Sequence, residues 1–565
     1  MPRLRGDCCC ITMSPAVKLS ELSGKEVAAK RYQIVFVSAE CAPWSQTGGL
    51  GAVADGLPIQ LAKMGHRVMS ITPRYDQYSD AWDTSFSAHC TLGDKGRTKV
   101  GFFHTYKQKV DRVFVDHPLF LEKVWGVTKD KLYGPKWGID FEDNQLRFSI
   151  FCQGALAAIK GLPLGGIPYG EDVIIMCNDW QTSLLPIYLK LERQADPSMW
   201  RNTKTVFVSH NMVYQGRFPL STDHAALLNV PQSVVDDMSC FMPLKVGKKH
   251  PRTSVLNWMM GGFKYADKLA TVSPRYAEEI GTCEEKGVEL EEIALAKGGV
   301  VGILNGLKDN VDPMNEDLKL KGGLAASFGP ETLEKKLLCK AALQKKFKLP
   351  LDPKVPLFCF LGRLDVQKGV DVMLESLEGL LESEFLQVVI MGGGNEEMVA
   401  KVQKLKKAYP TKCAAVIAFQ GAEKYQVYAG ADFALMPSRY EPCGLVQMES
   451  MRFATIPMVS PTGGLKDTVI DMETGIVLES ELDPEADVLP EDVAKIADGI
   501  TRCVKLYESP AEVSRIRENC MTYAFSLTWT ASAKNWENLI TMMGTPDIST
   551  HLCTTAKMEH ASEVV

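Results

Sequence analysis

The sequence predicts an α/β protein built from two Rossmann-like, doubly wound domains that face each other across a cleft. Its length of 565 residues leaves room for two to four domains at ~100–200 residues each. Short apolar runs alternate with helical patterns, which is typical of parallel sheets covered on both faces. A stretch rich in Lys, Glu and Gly near the middle separates two such series. Together these observations favour two separate sheets.

The first series of apolar runs predicts the strands of an amino-terminal domain. After the first run, apolar residues between Leu50 and Leu61 recur at helical spacing, which predicts a helix. The predicted strands lie at 33–38, 67–73, 172–177, 205–209, 268–273 and 300–305.

The second series predicts a carboxy-terminal domain of the same kind. The stretch 396–409 places apolar residues on one face and lysines on the other, as an amphipathic helix does. The predicted strands lie at 356–362, 386–393, 414–419, 432–438 and 455–460. We expect a tail at 1–30, a first domain at 31–315, a junction at 316–352, a second domain at 353–524, a helix at 525–545 that returns to the first domain, and a tail at 546–565.

Composition excludes several classes of protein. Hydrophobic residues make up 45% of the chain, enough to rule out disorder as its main state. The formal net charge of −6 gives no broad basic surface, so nucleic acid is not an expected partner. Apolar runs such as 387–391 are far shorter than the ~18 residues of a membrane span, so no membrane is expected.

The 16 cysteines favour neither a metal site nor a disulfide framework. They form no Cys-x-x-Cys pair, and their number fits a reducing compartment. The first 30 residues contain no long apolar segment, so a secretory signal is not expected. They also carry acidic residues, which leaves a transit peptide an open question.

Ligands of doubly wound sheets bind beyond the carboxyl ends of the strands, so the residues at those ends are the candidates for a site. After the first strand, Gln46, Gly48 and Gly49 precede a helix, where backbone N–H groups can meet a phosphate. A tight strand-to-helix turn is the structural alternative. The spacing is not G-x-G-x-x-G, which argues against a nicotinamide dinucleotide.

Charged side chains follow several of the other predicted strands. Asp179 and His210 stand at two strand ends of the first domain, although a single histidine is often structural. Arg363 and Lys368 follow the first strand of the second domain, where two cations can meet a diphosphate. A solvated charged loop remains the alternative for this pair.

Two later turns complete the candidate site. Glu441 and Cys443 stand between prolines and a glycine ahead of a helix, and a carboxylate held there can grip sugar hydroxyls. Cys443 is a weak candidate nucleophile because no histidine lies near it in the sequence. The turn Thr462-Gly463-Gly464 opens another helix and is suited to phosphate.

As a set, these motifs resemble the starch and glycogen synthase family of retaining glucosyltransferases, family 5, which has the GT-B fold. The motifs TGGLG, NDW, HNxxYQGRF, ILNG, GRLxxQKG, PSRxEPCGL and TGGLxDTV occur in this order over about residues 33–540. The stretches 73–84, 102–126 and 131–156 are most similar to the granule-bound, amylose-forming branch.

The resemblance implies transfer of glucose from ADP-glucose or UDP-glucose to the non-reducing end of an α-1,4-glucan. It implies no metal and no cofactor, a starch granule as partner, and a plastid location. A cytoplasmic location is the alternative, because no clear transit peptide is visible. On this resemblance Arg363 and Lys368 neutralise the departing diphosphate, and Glu441 holds the donor glucose. His210 and Asp179 are expected near the reacting sugar.

The resemblance also supplies the remaining binding residues. The expected donor and nucleotide side comprises Gln46, Gly48, Gly49, Asn305, Cys443, Gly444, Leu445, Gln447, Thr462, Gly463 and Gly464. The expected acceptor side comprises Asn211, Tyr214 and Gln215.

The sequence departs from the family pattern on the first-domain side of the cleft. Gln46 stands where the family has Lys, Ala52 where it has Asp, and Gln181 where NDW is followed by His. Losing a charged hydrogen bond costs ~1.5–3 kcal/mol, or about one to two decades in binding or rate. A weakened or inactive glucan-binding paralog is therefore the second hypothesis. A dehydrogenase with two Rossmann domains is the third and lacks the glycine fingerprint.

Overall fold

The computed structural model describes residues 30–125, 131–136, 138–242, 253–282, 284–417, 421, 423–484 and 488–544. The strands are β1 Gln33–Val37, β2 Arg67–Pro73, β3 Trp82–Thr91, β4 Arg97–Lys107, β5 Val110–Asp116, β6 Ile174–Asn178, β7 Lys204–Ser209, β8 Arg217–Pro219, β9 Ser239–Phe241, β10 Ser254–Asn257, β11 Lys268–Thr271, β12 Val300–Gly302, β13 Leu357–Leu361, β14 Gln387–Met391, β15 Cys413–Val416, β16 Phe433–Met436, β17 Ile456–Val459 and β18 Ile476–Val477.

The helices alternate with these strands along most of the chain. They are α1 Gly49–Lys63, α2 Pro118–Lys123, α3 Asn144–Gly161, α4 Leu184–Ala195, α5 His224–Leu228, α6 Gln232–Met238, α7 Trp258–Tyr265, α8 Pro274–Thr282, α9 Glu284–Gly287, α10 Glu291–Ala296, α11 Glu316–Gly322, α12 Lys336–Lys346, α13 Val370–Ser383, α14 Glu396–Ala408, α15 Glu423–Gly430, α16 Leu445–Arg452, α17 Gly463–Thr468, α18 Pro490–Tyr507, α19 Pro510–Ser526 and α20 Trp529–Met542.

The first sheet has nine strands in the order β12-β11-β7-β6-β1-β2-β5-β4-β3. Strands β12 through β5 in that order run parallel, whereas β4 and β3 continue the sheet as an antiparallel meander. Alternate residues of β1 enter two different clusters, Val35 and Val37 on one face and Ile34 and Phe36 on the other. Burial on both faces explains why this strand is continuously apolar.

The second sheet is parallel, with six strands in the order β15-β14-β13-β16-β17-β18. It too is buried on both faces, with Phe358 and Phe360 in one cluster and Leu357 and Cys359 in the other. Because β13 and β16 are neighbours, their carboxyl ends lie side by side. The loops that follow them carry most of the charged candidates of the second domain.

The last helix of the described residues, α20, packs against α1, which covers the first sheet. Trp529 and Trp536 of α20 lie in the same buried cluster as Leu57 and Leu61 of α1. Gly56 permits this approach, because a Cβ on it would stand 2.3 Å from Nε1 of Trp529. The chain therefore runs from the second sheet back to the first before it ends.

The fold differs from the expectations in several features, among them the strands β5 and β18, which were not predicted. The first sheet is not wholly parallel, because β3 and β4 extend it through hairpin connections. A separate three-stranded antiparallel sheet, in the order β8-β10-β9, was not predicted, because its strands are only three or four residues long. The described residues exclude positions 1–29 of the predicted tail at 1–30 and the whole predicted tail at 546–565. They also exclude residue 545 of the predicted helix at 525–545 and part of the predicted strand at 414–419.

Candidate active site

The carboxyl ends of β13 and β16 bring a cation and a carboxylate into contact. Lys368, on the loop after β13, forms an ion pair through its Nζ with Oε2 of Glu441, on the loop after β16. Ser438 also donates to this carboxylate, with 3.2 Å between Oγ and Oε2. Residues 73 positions apart in the sequence thus form one unit.

Arg363 lies at the same strand end and reaches across the cleft. Its Nη2 donates to Oε1 of Gln367 at 2.6 Å, and its Nη1 donates to the hydroxyl of Tyr214 at 3.2 Å. Burial works to lower the pKa of Arg363, but Asp365 and Tyr214 outweigh it and the pKa is raised. Arg363 is therefore a permanent cation in the cleft, and a residue of the first domain touches it.

His210 and Asp179 meet at the carboxyl ends of β6 and β7. The backbone N–H of His210 donates to Oδ1 of Asp179 at 2.7 Å. Burial raises the pKa of Asp179 to about 7, and the nearby charge of Glu40 adds to the rise. Burial also lowers the pKa of His210 to about 3, so its imidazole is neutral at physiological pH.

Asn211 and Gln367 connect the two sides of the cleft. Asn211 Nδ2 donates to Oε1 of Gln367 at 3.4 Å, and the same oxygen accepts the hydrogen bond from Arg363. Further contacts join the domains beside this point. Ser273 Oγ donates to the carbonyl oxygen of Pro442 at 2.6 Å, and the Arg275 N–H donates to Asp467 Oδ2 at 2.9 Å.

The glycine-rich loop after β1 is held by Glu40, which the sequence analysis did not single out. One carboxylate oxygen of Glu40 accepts the N–H of Thr47 at 2.7 Å and that of Gly48 at 3.4 Å. The other accepts the Tyr133 hydroxyl at 2.7 Å. In this conformation the Gly48 amide therefore donates to a buried carboxylate, and its contact with phosphate stays a prediction.

Space remains on the outer side of the same loop. A Cβ on Gly48 or Gly49 would meet no heavy atom within 4 Å, so a ligand can approach the backbone there. Gln46 is exposed, and its Nε2 donates to the carbonyl oxygen of Gly48 at 2.9 Å. The position that carries Lys in the family pattern therefore contributes a neutral amide.

The turn Thr462-Gly463-Gly464 also has internal hydrogen-bond partners in this conformation. The Gly463 N–H donates to Oε1 of Glu279 at 3.0 Å, and the Gly464 N–H donates to the carbonyl oxygen of Glu441 at 2.9 Å. Thr462 Oγ1 accepts from Nζ of Lys286 at 3.0 Å. These contacts hold the two domains and the Glu441 loop together, and the binding of phosphate at this turn stays a prediction.

Two glutamines assigned to the site are structural in this conformation. Gln447 is fully buried, and its Nε2 donates to the Cys443 carbonyl oxygen and to Thr468 Oγ1, each at 3.0 Å. Gln215 is also buried and accepts from Asn257 Nδ2 at 2.6 Å. Neither side chain reaches the cleft surface. The sequence could not show this, because the spacing of a motif does not reveal the direction in which a side chain points.

The remaining candidates lie around the Glu441 loop. Gly444 has a φ of 73°, and a Cβ there would collide with the Gln447 side chain, which explains glycine at the start of α16. Leu445 is the first residue of that helix and is partly buried. Cys443 is buried and interacts with Asn305, and burial raises the pKa of its thiol to about 12. A thiol so firmly protonated does not act as a nucleophile.

Sequence reasoning missed Glu40, Gln367 and Glu279. Glu40 stands three residues beyond β1, so the strand-end rule that selected Asp179 also covers it. Gln367 lies inside the motif that supplied Lys368. Glu279 lies within the helix α8, and only the tertiary contact with Gly463 reveals it.

The described residues show neither a metal cluster nor a membrane span. No group of three or more His, Cys, Asp or Glu side chains among them is arranged to hold a metal ion. No helix within the described ranges is both long enough and apolar enough to cross a bilayer.

Two sheets covered by helices, one mainly and one wholly parallel, with charged groups at their facing strand ends define a two-domain glycosyltransferase of the GT-B class. The model of the starch synthase catalytic domain matches residues 33–295, and that of glycosyl transferases group 1 matches residues 342–513. The chain belongs to the starch synthase family and is a glucosyltransferase.

Curated relatives and solved structures agree with this membership. Granule-bound starch synthase 1 of Pisum sativum is 44% identical over 517 residues, covering 90% of this chain and 82% of that protein. The Zea mays protein of the same name is 43% identical and covers 92% of this chain and 84% of its own. The solved catalytic domain of starch synthase IV from Arabidopsis thaliana, bound to ADP and acarbose, is 26% identical and has a TM-score of 0.73. The match covers 90% of this chain and 99% of that chain. Sucrose-phosphate synthase from Thermosynechococcus elongatus shares the fold, with a TM-score of 0.54 at 16% identity. That match covers 91% of this chain and 99% of the other.

Proposed function

We propose that this chain transfers glucose from ADP-glucose, with UDP-glucose as the alternative donor, to the non-reducing end of an α-1,4-glucan with retention of configuration. The observation that carries the proposal is the cluster of Arg363, Lys368 and Glu441 at the ends of β13 and β16, facing His210 and Asp179 across the cleft. The starch synthase IV structure with bound ADP and acarbose supports an adenine nucleotide and an oligosaccharide as ligands.

The second domain supplies what a diphosphate leaving group requires. As the glycosidic bond breaks, negative charge grows on the departing phosphate oxygen, and fixed cations stabilise it. Arg363 offers a planar fork of N–H donors and Lys368 a point charge. Since the diphosphate is already a good leaving group, no protonating acid is needed, and no metal or cofactor is proposed.

Glu441 has a double role in this proposal. Its carboxylate restrains the Lys368 ammonium before the donor binds, and the carboxylate can then accept hydrogen bonds from the sugar hydroxyls. Pairing with Lys368 keeps both groups oriented without substrate, which lowers the reorganisation needed during the reaction.

The first domain supplies groups suited to the sugar. A neutral His210 offers one ring nitrogen as an acceptor for a hydroxyl. With its raised pKa, Asp179 can exchange between carboxyl and carboxylate near neutral pH. Contacts between the domains, such as Tyr214 with Arg363, would exclude water and favour transfer over hydrolysis.

We also propose association with starch granules in a plastid and the synthesis of amylose. The support is that the relatives are named granule-bound starch synthases of chloroplasts and amyloplasts. A cytoplasmic location has no support among these relatives.

A second candidate function is favoured by one observation at the Gly-rich loop. Gln46 offers only a neutral amide where the family pattern places a cation, and Ala52 cannot replace the family Asp. A glucan-binding paralog with weakened or absent turnover fits these two positions. It would bind glucan without incorporating glucose.

One assay distinguishes the two functions. Purified protein is given labelled ADP-glucose or UDP-glucose with malto-oligosaccharide or granules, and incorporation into glucan is measured. We expect incorporation, abolished by Arg363→Ala and by Glu441→Gln. The matched controls Arg515→Ala and Glu512→Gln change an exposed ion pair on α19 and should leave incorporation intact. Folded wild-type protein that binds glucan but incorporates no label from either donor would establish the paralog instead.

A further inference from the structure

The two loops that carry Lys368 and Glu441 are joined by a buried arginine that touches neither side chain. Arg439 lies two residues before Glu441 and is fully buried. Its backbone N–H donates to the carbonyl oxygen of Gln367 at 2.9 Å. The loop after β16 is thereby tied to the loop after β13 next to Lys368.

The Arg439 guanidinium extends the connection to the helix that follows Lys368. Nη1 and Nη2 bond the two carboxylate oxygens of Asp371 at 2.7 and 2.9 Å, in a bidentate pair. Nη1 also donates to the carbonyl oxygen of Val366 at 2.7 Å, and Nε donates to that of Asp483 at 3.0 Å. One side chain therefore fixes both flanks of Lys368 and a third segment of the domain.

Lysine could not reproduce this arrangement, since its three N–H donors radiate from a single nitrogen. A guanidinium presents its donors in a rigid plane that matches a carboxylate, so the pair sets an angle as well as a distance. The loops also approach very closely. A Cβ on Gly369 would stand 1.9 Å from the carbonyl oxygen of Pro437, and Gly369 has a φ of 64°.

We infer that Arg439, through its bidentate bond with Asp371, is a positioning residue that holds Lys368 and Glu441 in the geometry needed for glucosyl transfer. It contacts no substrate and acts only through these two side chains. The inference rests on the proposed function, because the proposed function is what assigns Lys368 and Glu441 to the donor site. A displacement of about 1 Å in a reacting group can cost about 100-fold in rate.

The central test is Arg439→Lys, which keeps the charge and removes the fork. We expect kcat to fall about 10- to 100-fold. The matched control is Arg517→Lys. Arg517 pairs with Asp432 at the amino end of the same strand, β16, with 2.6 Å between Nη2 and Oδ1. This variant should lower the midpoint of thermal unfolding but keep kcat within about twofold of wild type.

A double-mutant cycle separates positioning from general damage to the fold. If Arg439 acts through Lys368, adding Arg439→Lys to Lys368→Ala should lower kcat by much less than it does in the wild type, because the positioned group is already gone. Asp371→Asn should reproduce the kcat loss of Arg439→Lys, and the pair of changes should not add. Equal losses in both backgrounds, or unchanged kcat in Arg439→Lys, would overturn the inference.

ADP binding makes the result independent of turnover. Calorimetric titration of ADP should give weaker binding for Arg439→Lys and wild-type affinity for Arg517→Lys. If the wild type binds ADP but transfers no glucose, the proposed function fails, and this comparison still decides the role of Arg439. If Arg439→Lys binds ADP as the wild type does and loses no kcat, the inference fails while the function stands.

Discussion

Asn178 fixes which ring nitrogen of His210 carries the proton. The buried Asn178 amide donates through Nδ2 to the carbonyl oxygens of Val37 at 2.9 Å and Met176 at 3.0 Å, so its Oδ1 must be the acceptor. That oxygen lies 2.9 Å from His210 Nε2, which therefore bears the hydrogen. The lone pair of Nδ1 remains as an acceptor, and burial keeps the ring neutral by lowering its pKa to about 3.

Asn178→Asp should make the enzyme acid-sensitive. A carboxylate at this position stabilises the imidazolium, so the pKa of His210 rises towards its usual ~6.5 and Nδ1 becomes protonated. In the wild type no loss of kcat from His210 is expected above pH ~4, whereas in the variant kcat should fall as the pH drops below ~6.5. The pH dependence of kcat checks this. An acid limb at the wild-type position would show that the Asn178 contact does not control the ring.

Asp179→Asn should change how stability depends on pH. Burial raises the pKa of Asp179 to about 7, so between pH ~4 and 7 the folded protein holds a proton that the unfolded chain has lost. This contribution is greatest below pH ~4 and disappears as the pH rises to 7. Urea unfolding at pH 5 and pH 8 gives the change in the free energy of unfolding between the two pH values, and Asp179→Asn should remove the part of this change that Asp179 causes. The control Asp94→Asn, on the exposed turn before β4, should leave the pH dependence as it is in the wild type. An unchanged slope in Asp179→Asn would contradict the shift.

Gln46→Lys with Ala52→Asp should raise kcat/KM for the donor. A restored cation at the loop adds a charged contact with the diphosphate worth ~1.5–3 kcal/mol, or about 10- to 100-fold. Steady-state kinetics with ADP-glucose measures the gain. Gln46→Met with Ala52→Asp is the control, since it removes the amide without adding charge. An equal gain in both variants would mean that charge at position 46 is not responsible.

Tyr214→Phe should weaken catalysis by removing the hydrogen bond that Arg363 makes across the cleft. A bond of this kind contributes ~0.5–1.5 kcal/mol, so kcat/KM should fall about 2- to 13-fold. The matched control is Tyr106→Phe, which changes an exposed tyrosine on β4, the strand next to the β3 edge of the first sheet, and should have no effect. A wild-type value for Tyr214→Phe would show that Arg363 does not depend on this contact.

Lys340→Met should strongly destabilise the second domain. Lys340 and Asp432 form an ion pair at 2.7 Å with side chains only 2% exposed, so removing the lysine leaves a buried charge that is less well compensated. We expect a loss of about 3–5 kcal/mol in the free energy of unfolding. The control Lys321→Met breaks an exposed pair with Asp317 and should cost at most ~1 kcal/mol. Chemical denaturation of both variants gives the comparison.

The two-sheet architecture and the charged candidates for the site could be predicted from the amino-acid pattern alone. Apolar strands between helices specify parallel sheets, and the strand-end rule selected Arg363, Lys368, Glu441, His210 and Asp179 without coordinates. The spacing of apolar residues along a strand or helix is a local property, so it can be read from the sequence without knowledge of the fold. The strands β3, β4 and β5 were not predicted because the predicted strands followed continuous apolar runs, whereas polar residues interrupt the apolar ones in these three strands.

The hydrogen-bond partners of the candidate groups, in contrast, could be identified only from the three-dimensional structure. The Glu40 carboxylate accepts a hydrogen bond from the Gly48 amide, and that of Glu279 accepts one from the Gly463 amide. The sequence predicts phosphate as the partner of both amides. Gln215 and Gln447 point into the interior, and Arg439 joins loops that are distant in the chain. Hydrogen-bond partners depend on side-chain direction and on contacts between distant segments. The spacing of residues along the chain reveals neither the direction of a side chain nor its contacts with distant segments, because both depend on three-dimensional packing.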